Sequence, residues 1–221
     1  MSTKKSRFEY PNVVIFHAMD SERDKIIKPA IIKLGFVGKK IWVSKMGAGK
    51  VSATLNAGIL LSRFLSARKV KCINVGVCGG SVVAAKDFPC EIIDRVYNND
   101  FDTSAVSGLP FNKQYIDLGN FGLEPMYCFT QDHIMVNPKE VQISVGKSAP
   151  KDIPWYVDME LFGLAAVCKE LGFELTAIKS VSDVIGTKKQ IEEYAGDGFD
   201  KACERASKLL TEVLAKHLDL G

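Results

Sequence analysis

The first half of the chain alternates apolar runs with segments of helical periodicity. Residues 12–19 form a continuous apolar run containing β-branched residues, which is typical of a strand buried on both faces. Residues 39–47 and 70–80 predict two further strands. Residues 21–35 and 49–65 repeat apolar side chains at helical spacing and predict helices. This alternation of strand and helix predicts an α/β layered domain.

The second half continues the pattern after a Gly/Pro/Asn-rich stretch at 107–125. The predicted strand before this stretch is at 89–104. The predicted elements after it are strands at 126–136 and 174–182 and helices at 159–171 and about 189–217. No repeat or linker interrupts the chain, so we expect a single domain over 1–221 with a mixed central sheet, part of it barrel-like, flanked by helices. Residues 1–11 are expected to be a flexible tail, and Ser21 is a candidate N-cap of the first helix.

Composition and charge exclude several classes of protein. The net charge of +3 over 221 residues is too small to indicate a nucleic-acid partner or an anionic membrane. The six cysteines lack metal-ligand spacing, so we expect free thiols in a reducing compartment, with no structural disulfide. With no apolar segment before residue 12 and no run long enough to span a bilayer, a cytoplasmic protein is expected.

Candidate chemistry lies where predicted strands end. Open α/β sheets bind ligands beyond the carboxyl ends of their strands, and three such ends read HAMDSER, NVGVCGG and SVSDV. The start of a predicted helix at VDME adds a fourth element, with free N–H groups. Taken singly, each acidic residue here has an ordinary structural explanation as a helix cap, a first-turn carboxylate or a loop residue.

Known nucleotide, metal and hydrolase motifs are missing from the sequence. MGAGKVSAT at 46–54 fails the phosphate-loop pattern because Val51 follows Lys50, and neither G-x-G-x-x-G nor G-x-S-x-G occurs. The three histidines are scattered. We therefore expect neither a bound metal nor another cofactor.

The ordered motifs resemble a known superfamily. AMDSER, GAGKVSATLNAGILL, INVGVCGG, VDMELFGLAAVC and IKSVSDV occur in an order and at a spacing similar to those of the purine nucleoside phosphorylase/uridine phosphorylase superfamily. Within it, the chain most resembles the 5′-methylthioadenosine/S-adenosylhomocysteine nucleosidases, over roughly residues 12–215. The resemblance implies the nucleoside phosphorylase-like α/β fold, cleavage of the N-glycosidic bond of a purine nucleoside, and a homodimer.

The resemblance also implies roles for individual residues. Asp183 is the acid at purine N7, Glu160 holds the ribose hydroxyls with Met159 against the sugar, and Glu22 handles the attacking water. The other implied substrate contacts are Val77, Cys78, Gly79, Ser182, Ile134 and Met135. These roles suit the chemistry, because an acid at N7 makes the base a neutral leaving group and a carboxylate at the ribose favours an oxocarbenium-like state.

Two alternatives stay open at the level of sequence. A phosphorylase needs cationic phosphate ligands, and two arginines are expected in this superfamily. Asn74 occupies the position of one of them. A one-residue shift in the alignment of the first loop would place Arg23 at the position of the other. A non-catalytic purine-binding relative is the second alternative. The aromatic residue that faces the base is also open, and the candidates are Phe101, Phe129 and Trp155.

Overall fold

The computed structural model describes residues 10–35, 40–66, 69–101, 115–119, 125–144, 147–148 and 152–218, without the side chains of 142–144 and 147–148. Most of the expected N-terminal tail and much of the Gly/Pro/Asn-rich stretch lie outside these residues. Of the tail, Tyr10 packs edge-on against Phe64 at a ring distance of 6.1 Å.

The described elements alternate as the sequence predicts in the first half. The strands are β1 Val13–His17, β2 Ile41–Lys45, β3 Lys71–Gly80, β4 Cys90–Ile92, β5 Arg95–Asn98, β6 Tyr115–Asp117, β7 Tyr127–Thr130, β8 Gln142–Ser144, β9 Lys147–Ser148, β10 Trp155–Asp158 and β11 Leu175–Val184. The helices are α1 (Asp20–Glu22, a π-helical turn Arg23–Ile27, and Lys28–Lys33), α2 Lys50–Leu61, α3 Val82–Asp87, α4 Leu161–Leu171 and α5 (Gln190–Glu193, a π-helical turn Tyr194–Gly198, and Phe199–His217).

The central sheet is mixed, as predicted. It has nine strands in the order β2-β1-β3-β10-β7-β5-β6, with β11 paired to β3 and to β4. β3 pairs in parallel with β1 and β11 and antiparallel with β10. In the described part of the chain the sheet does not close into a barrel. No helix of this part is long and apolar enough to cross a bilayer.

Two buried clusters cover opposite faces of the sheet. Along β1, Val13 and Ile15 join a cluster with α1 and α5, whereas Val14 and Phe16 join one with α2 and α4. Both sets are fully buried, which explains why β1 is a continuous apolar run rather than an alternating one. The ends of β1, β3 and β11 are thereby fixed side by side.

Several predicted boundaries were wrong. The first helix begins at Asp20, and its N-cap is Met19 rather than Ser21. A π-helical turn precedes Pro29, which has no N–H to donate to the helix ladder. The strand predicted at 89–104 divides into β4 and β5, and the last helix changes direction at Gly196, whose backbone is not helical.

Candidate active site

A cavity of about 250 Å³ opens at the carboxyl ends of β1, β3, β10 and β11. All of the site residues predicted from the sequence line it: Glu22, Val77, Cys78, Gly79, Ile134, Met135, Met159, Glu160, Ser182 and Asp183. The structure therefore brings the predicted set to one place. Their individual roles stay predictions.

Glu22 is fixed in the cavity wall by backbone donors. Its Oε2 accepts hydrogen bonds from the N–H groups of Ala18 (2.9 Å) and Met19 (3.0 Å), and its Oε1 from that of Val77 (3.1 Å). The side chain is 3% exposed. One carboxylate thus joins the end of β1, the start of α1 and strand β3, and it is held at a single position beside the cavity.

Glu160 is joined to the glycine loop before α2. Its Oε1 accepts from the N–H of Gly49 at 3.0 Å, and its Oε2 from that of Met159 at 3.3 Å. Gly49 has φ of +86°, a conformation that glycine adopts without strain. Burial, together with the nearby charge of Asp158, raises the pKa of Glu160 to about 7.

A buried ion pair lies behind Glu160. Lys179 Nζ is 2.7 Å from Asp158 Oδ2, and both side chains are almost fully buried. Asp158 also accepts from the Thr130 hydroxyl (2.6 Å) and the N–H of Leu161 (2.9 Å) at the start of α4. Burial opposes the positive charge of Lys179, but the neighbouring acidic groups, first among them Asp158, together outweigh burial and raise the lysine pKa above its ordinary value. Asp158 thus accepts from the first N–H of the helix, although the N-cap position is Glu160, and it also neutralises a buried lysine.

Asp183 also lines the cavity, and its hydrogen-bond donors are neutral. Ser182 Oγ donates to its Oδ1 at 2.6 Å, and Gln190 Nε2 donates to its Oδ2 at 3.0 Å. Burial raises the pKa of Asp183 above its ordinary value, although both hydrogen bonds oppose the change. An acid in this setting keeps its proton to a higher pH than a surface aspartate does.

Apolar side chains complete the wall. Met135 is buried, whereas Ile134 is 68% exposed and lies at the mouth. None of the aromatic candidates Phe101, Phe129 and Trp155 lines the cavity. Phe129 instead stacks on Tyr97, with ring centres 4.9 Å apart. Among the described residues, the aromatic rings on the wall are those of Tyr194 and His133.

No lysine or arginine lines the cavity in the described part of the chain. Arg23 is paired with Asp20 and Asp24, with 39% of its side chain exposed. Asn74 is fully buried within the sheet, where its amide donates to the carbonyl of Phe16. Among the described residues, no group of three or more His, Cys, Asp or Glu side chains is placed to hold a metal ion.

Sequence reasoning missed Lys179, Gln190 and Tyr194. Lys179 is the one basic residue of the predicted strand 174–182, so a lone positive charge in a predicted buried strand was the available signal. Gln190 and Tyr194 belong to the predicted last helix, and nothing in its amphipathic pattern indicates that its first turns close the cavity. The cysteines, by contrast, are all unpaired, as predicted.

The chain is similar to known proteins over most of its length. No family model matches the chain. It is 25% identical to a 5′-methylthioadenosine/S-adenosylhomocysteine nucleosidase of Bacillus cytotoxicus, over 93% of this chain and 97% of that protein. It is 27% identical to the protein of the same name from Geobacillus kaustophilus, over 80% of this chain and 78% of that one.

Solved structures show the same fold. A crystal structure of the Helicobacter pylori nucleosidase of that name, with butyl-thio-DADMe-Immucillin-A, matches with a TM-score of 0.71 and 18% identity, over 95% of this chain and 100% of that one. This chain has a nucleoside phosphorylase-like fold. Futalosine hydrolase of the same organism also matches, with a TM-score of 0.69 and 18% identity, over 92% of this chain and 97% of that one. The predicted resemblance to the nucleosidases is confirmed.

Proposed function

We propose that this chain hydrolyses the N-glycosidic bond of a purine nucleoside and releases the free base and a ribose product. 5′-Methylthioadenosine and S-adenosylhomocysteine, which give the relatives their name, are the first candidate substrates. The observation that carries the proposal is the arrangement of Glu22, Glu160 and Asp183 around one cavity whose described wall has no lysine or arginine.

Asp183 is the proposed general acid. Its proton passes to N7 of the purine as the C1′–N9 bond breaks, and the bonding electron pair leaves with the base. A group that is protonated near neutral pH is needed for this step, and burial raises the pKa of Asp183 in that direction. The hydroxyl of Ser182, which is hydrogen-bonded to Asp183 Oδ1, keeps this carboxyl group oriented.

Glu160 and Glu22 act on the sugar side in this proposal. Glu160 accepts hydrogen bonds from the ribose hydroxyls, and its negative charge stabilises the positive charge that develops at C1′. Water then attacks C1′, and Glu22 accepts the proton that the water loses. The N–H groups of Ala18, Met19 and Val77 hold the Glu22 carboxylate in place for that transfer.

Water suits this cavity better than phosphate as the nucleophile. A phosphate ion needs cationic donors, whereas the wall described here offers carboxylates. Arg23, the alternative phosphate ligand, has its guanidinium engaged by Asp20 and Asp24. The sequence alone left a one-residue ambiguity in this loop. The lining of the cavity by Glu22 and not by Arg23 supports the interpretation as a hydrolase.

The test is a product analysis with and without phosphate. The purified protein is incubated with 5′-methylthioadenosine or S-adenosylhomocysteine in phosphate-free buffer and in phosphate. We expect free adenine and a 5-substituted ribose at a rate independent of phosphate, and an Arg23→Gln variant should behave like wild type. Formation of a 5-substituted ribose 1-phosphate, or loss of activity in Arg23→Gln, would favour the phosphorylase alternative. Binding of the nucleoside without release of base would favour a non-catalytic relative.

We also propose that the protein is a cytoplasmic homodimer. Val51, Leu55 and Ile59 follow one another at four-residue spacing along α2, and more than half of each side chain is exposed. Such an apolar stripe on a helix beside the cavity loop favours burial against a second copy. The unpaired cysteines support a reducing compartment.

A further inference from the structure

Lys179 is a buried cation behind Glu160 for which the proposed mechanism has no role. Of the lysine and arginine side chains that the structure describes, it is the one that is buried, and the residue is 2% exposed. It lies on β11 between Ala177 and Val181, which belong to the apolar cluster with α2 and α4. A charge at such a place is unfavourable unless a partner compensates it, so the contacts of Lys179 are informative.

The partner of Lys179 connects it to the start of α4, where Glu160 lies. Lys179 Nζ is 2.7 Å from Asp158 Oδ2, and the same oxygen accepts from the N–H of Leu161 at 2.9 Å. Asp158 and Leu161 are thereby joined across Glu160, which is 8% exposed. The ion pair therefore braces the turn that carries Glu160 and brings a positive charge near a buried carboxylate.

The other titratable groups around Glu160 do not supply such a charge. Lys50, at the start of α2, has its ammonium paired with two other carboxylates, at 2.5 Å and 3.4 Å. The side chain of His133, on the cavity wall, is 60% exposed to solvent. Acids, thiols and a phenol are the further titratable groups on the described elements nearby: Glu22 of α1, Cys78 of β3, Cys128 of β7, Asp158 of β10, Asp183 of β11 and Tyr194 of α5.

We propose that Lys179 is a positioning residue that acts through Asp158 to keep Glu160 ionised in the buried wall. The inference rests on the proposed function, in which the negative charge of Glu160 stabilises the positive charge at C1′. Two buried carboxylates two residues apart disfavour each other's charge, and a lysine bonded to one of them offsets that effect at the other. Burial and Asp158 raise the pKa of Glu160 to about 7, and Lys179 opposes both.

Removal of the lysine charge should move the ionisation of Glu160 to higher pH. In Lys179→Met, an apolar side chain of similar length remains, and two buried carboxylates are left without their cation. Asp158 keeps its donors at 2.6 Å and 2.9 Å, which favour its charged form, whereas the two donors to Glu160 are at 3.0 Å and 3.3 Å. The additional proton therefore goes to Glu160.

The ionisation of Glu160 can be measured directly and without catalysis. Carbon-13 NMR of protein labelled at the glutamate carboxyl groups follows each titration, and Glu160→Gln identifies the resonance of Glu160. We expect a midpoint about one pH unit or more higher in Lys179→Met than in wild type. Lys179→Arg, which keeps the positive charge, should restore the wild-type midpoint.

Lys28→Met is the matched control. It removes a lysine from an ion pair of similar length, 2.9 Å, on α1, where the lysine side chain is 59% exposed. Solvent screens that pair, so the midpoint of Glu160 should not change.

The same shift should appear in the pH profile of the reaction. Glu160 is proposed to act in its ionised form, so activity rises as the pH passes through its pKa, and a higher pKa moves this rise to higher pH. The ratio of kcat/KM for Lys179→Met over wild type should therefore increase about fivefold or more between pH 6 and pH 9. A merely structural role of the ion pair would lower kcat/KM by the same factor throughout.

The outcomes separate this proposal from the proposed function. An unchanged midpoint of Glu160 in Lys179→Met would overturn the role of Lys179. A raised midpoint with a pH-independent kcat/KM ratio, or with no release of base by wild type, would overturn instead the part that Glu160 plays in the proposed function. If Lys179→Met does not fold, Asp158→Asn is compared with Asp158→Asn/Lys179→Met, and the midpoint must again be higher without the lysine.

Discussion

At the scale of single residues, the carboxyl group of Asp183 experiences opposing influences. Burial favours its neutral form, whereas the hydrogen bonds from Ser182 and Gln190 favour the charged form. The net effect is a raised pKa, so the carboxyl group keeps its proton under conditions in which a solvated aspartate would have lost it, as the proposed transfer to N7 requires.

We predict that Asp183→Asn lowers kcat by about a hundredfold or more, because an amide can donate a hydrogen bond to N7 but cannot give it a proton. The melting temperature should stay close to that of wild type, since the amide can keep the contact with Ser182. Asp87→Asn, at an exposed position of α3, is the control and should keep full activity. Turnover near the wild-type level in Asp183→Asn would remove Asp183 from the mechanism.

Glu160→Gln should distinguish ribosides from 2′-deoxyribosides. The carboxylate is proposed to bond to the ribose hydroxyls, so a substrate without the 2′-hydroxyl has less to lose when the charge is removed. We expect kcat/KM to fall about tenfold more for the riboside than for its 2′-deoxy analogue. Equal losses on the two substrates would argue against contact between Glu160 and the ribose.

The raised pKa of Glu160 also predicts an effect of pH on stability. Its pKa in the folded protein is about 7, against an ordinary value of 4.5, so folding binds a proton. The associated stability is complete below pH 4.5 and is lost as the pH rises through 7. Glu160→Gln, which is always neutral, should therefore gain on wild type by on the order of 1–3 kcal/mol between pH 5 and pH 8. Denaturant unfolding of both proteins at pH 5 and pH 8 measures this change. The same difference in unfolding free energy between variant and wild type at both pH values would contradict the prediction.

At the scale of elements, the contact between β3 and α1 determines where Glu22 lies. Gly76 of β3 faces the carboxylate so closely that a Cβ atom built there would be 2.5 Å from Glu22 Oε1. The strand therefore needs a residue without a side chain at this point, and any larger residue must move the carboxylate.

Gly76→Ala should consequently impair catalysis more than folding. We expect kcat to fall about tenfold or more, because a small displacement of a positioned catalytic group is costly. Gly58→Ala is the matched control: it lies within α2, has no atom within 4 Å of a built Cβ, and should raise stability by about 0.5–1 kcal/mol with unchanged activity. Wild-type kcat in Gly76→Ala would show that Glu22 tolerates displacement.

The sequence was sufficient to predict the order of the helices and strands. It was not sufficient to predict the contacts that join one element to the next. β1 and α4 were predicted from apolar patterning alone, since each is buried along most of its length. The N-cap of α1 was not, because Glu22 and not a cap side chain occupies the orphan N–H groups of Ala18 and Met19. Likewise, Gln190 bonds to the carbonyl of Met135, which is 55 residues away in the chain, and to Gly186 in the turn before its helix. Local periodicity carries no information about such contacts.

At the scale of the whole molecule, the exposed stripe on α2 predicts how the chain associates. Replacing Leu55, which is 60% exposed, by Glu places a charge in the proposed dimer interface, where burial without a partner is unfavourable. We expect wild type to sediment as a dimer and Leu55→Glu as a monomer. A Lys86→Glu variant, also at an exposed position but on α3, should remain dimeric. A wild-type monomer at micromolar concentration would refute the proposal.

The hydrogen bonds of Glu22 have a consequence for how this protein can evolve. Catalytic groups are often poorly accommodated by the fold, so that their loss relieves strain and descendants drift easily towards inert binding proteins. Here the proposed base also ties β1, α1 and β3 together through backbone donors. A mutation of Glu22 that abolished the proposed activity would also remove these hydrogen bonds. Selection for a folded chain alone therefore tends to preserve the proposed catalytic carboxylate.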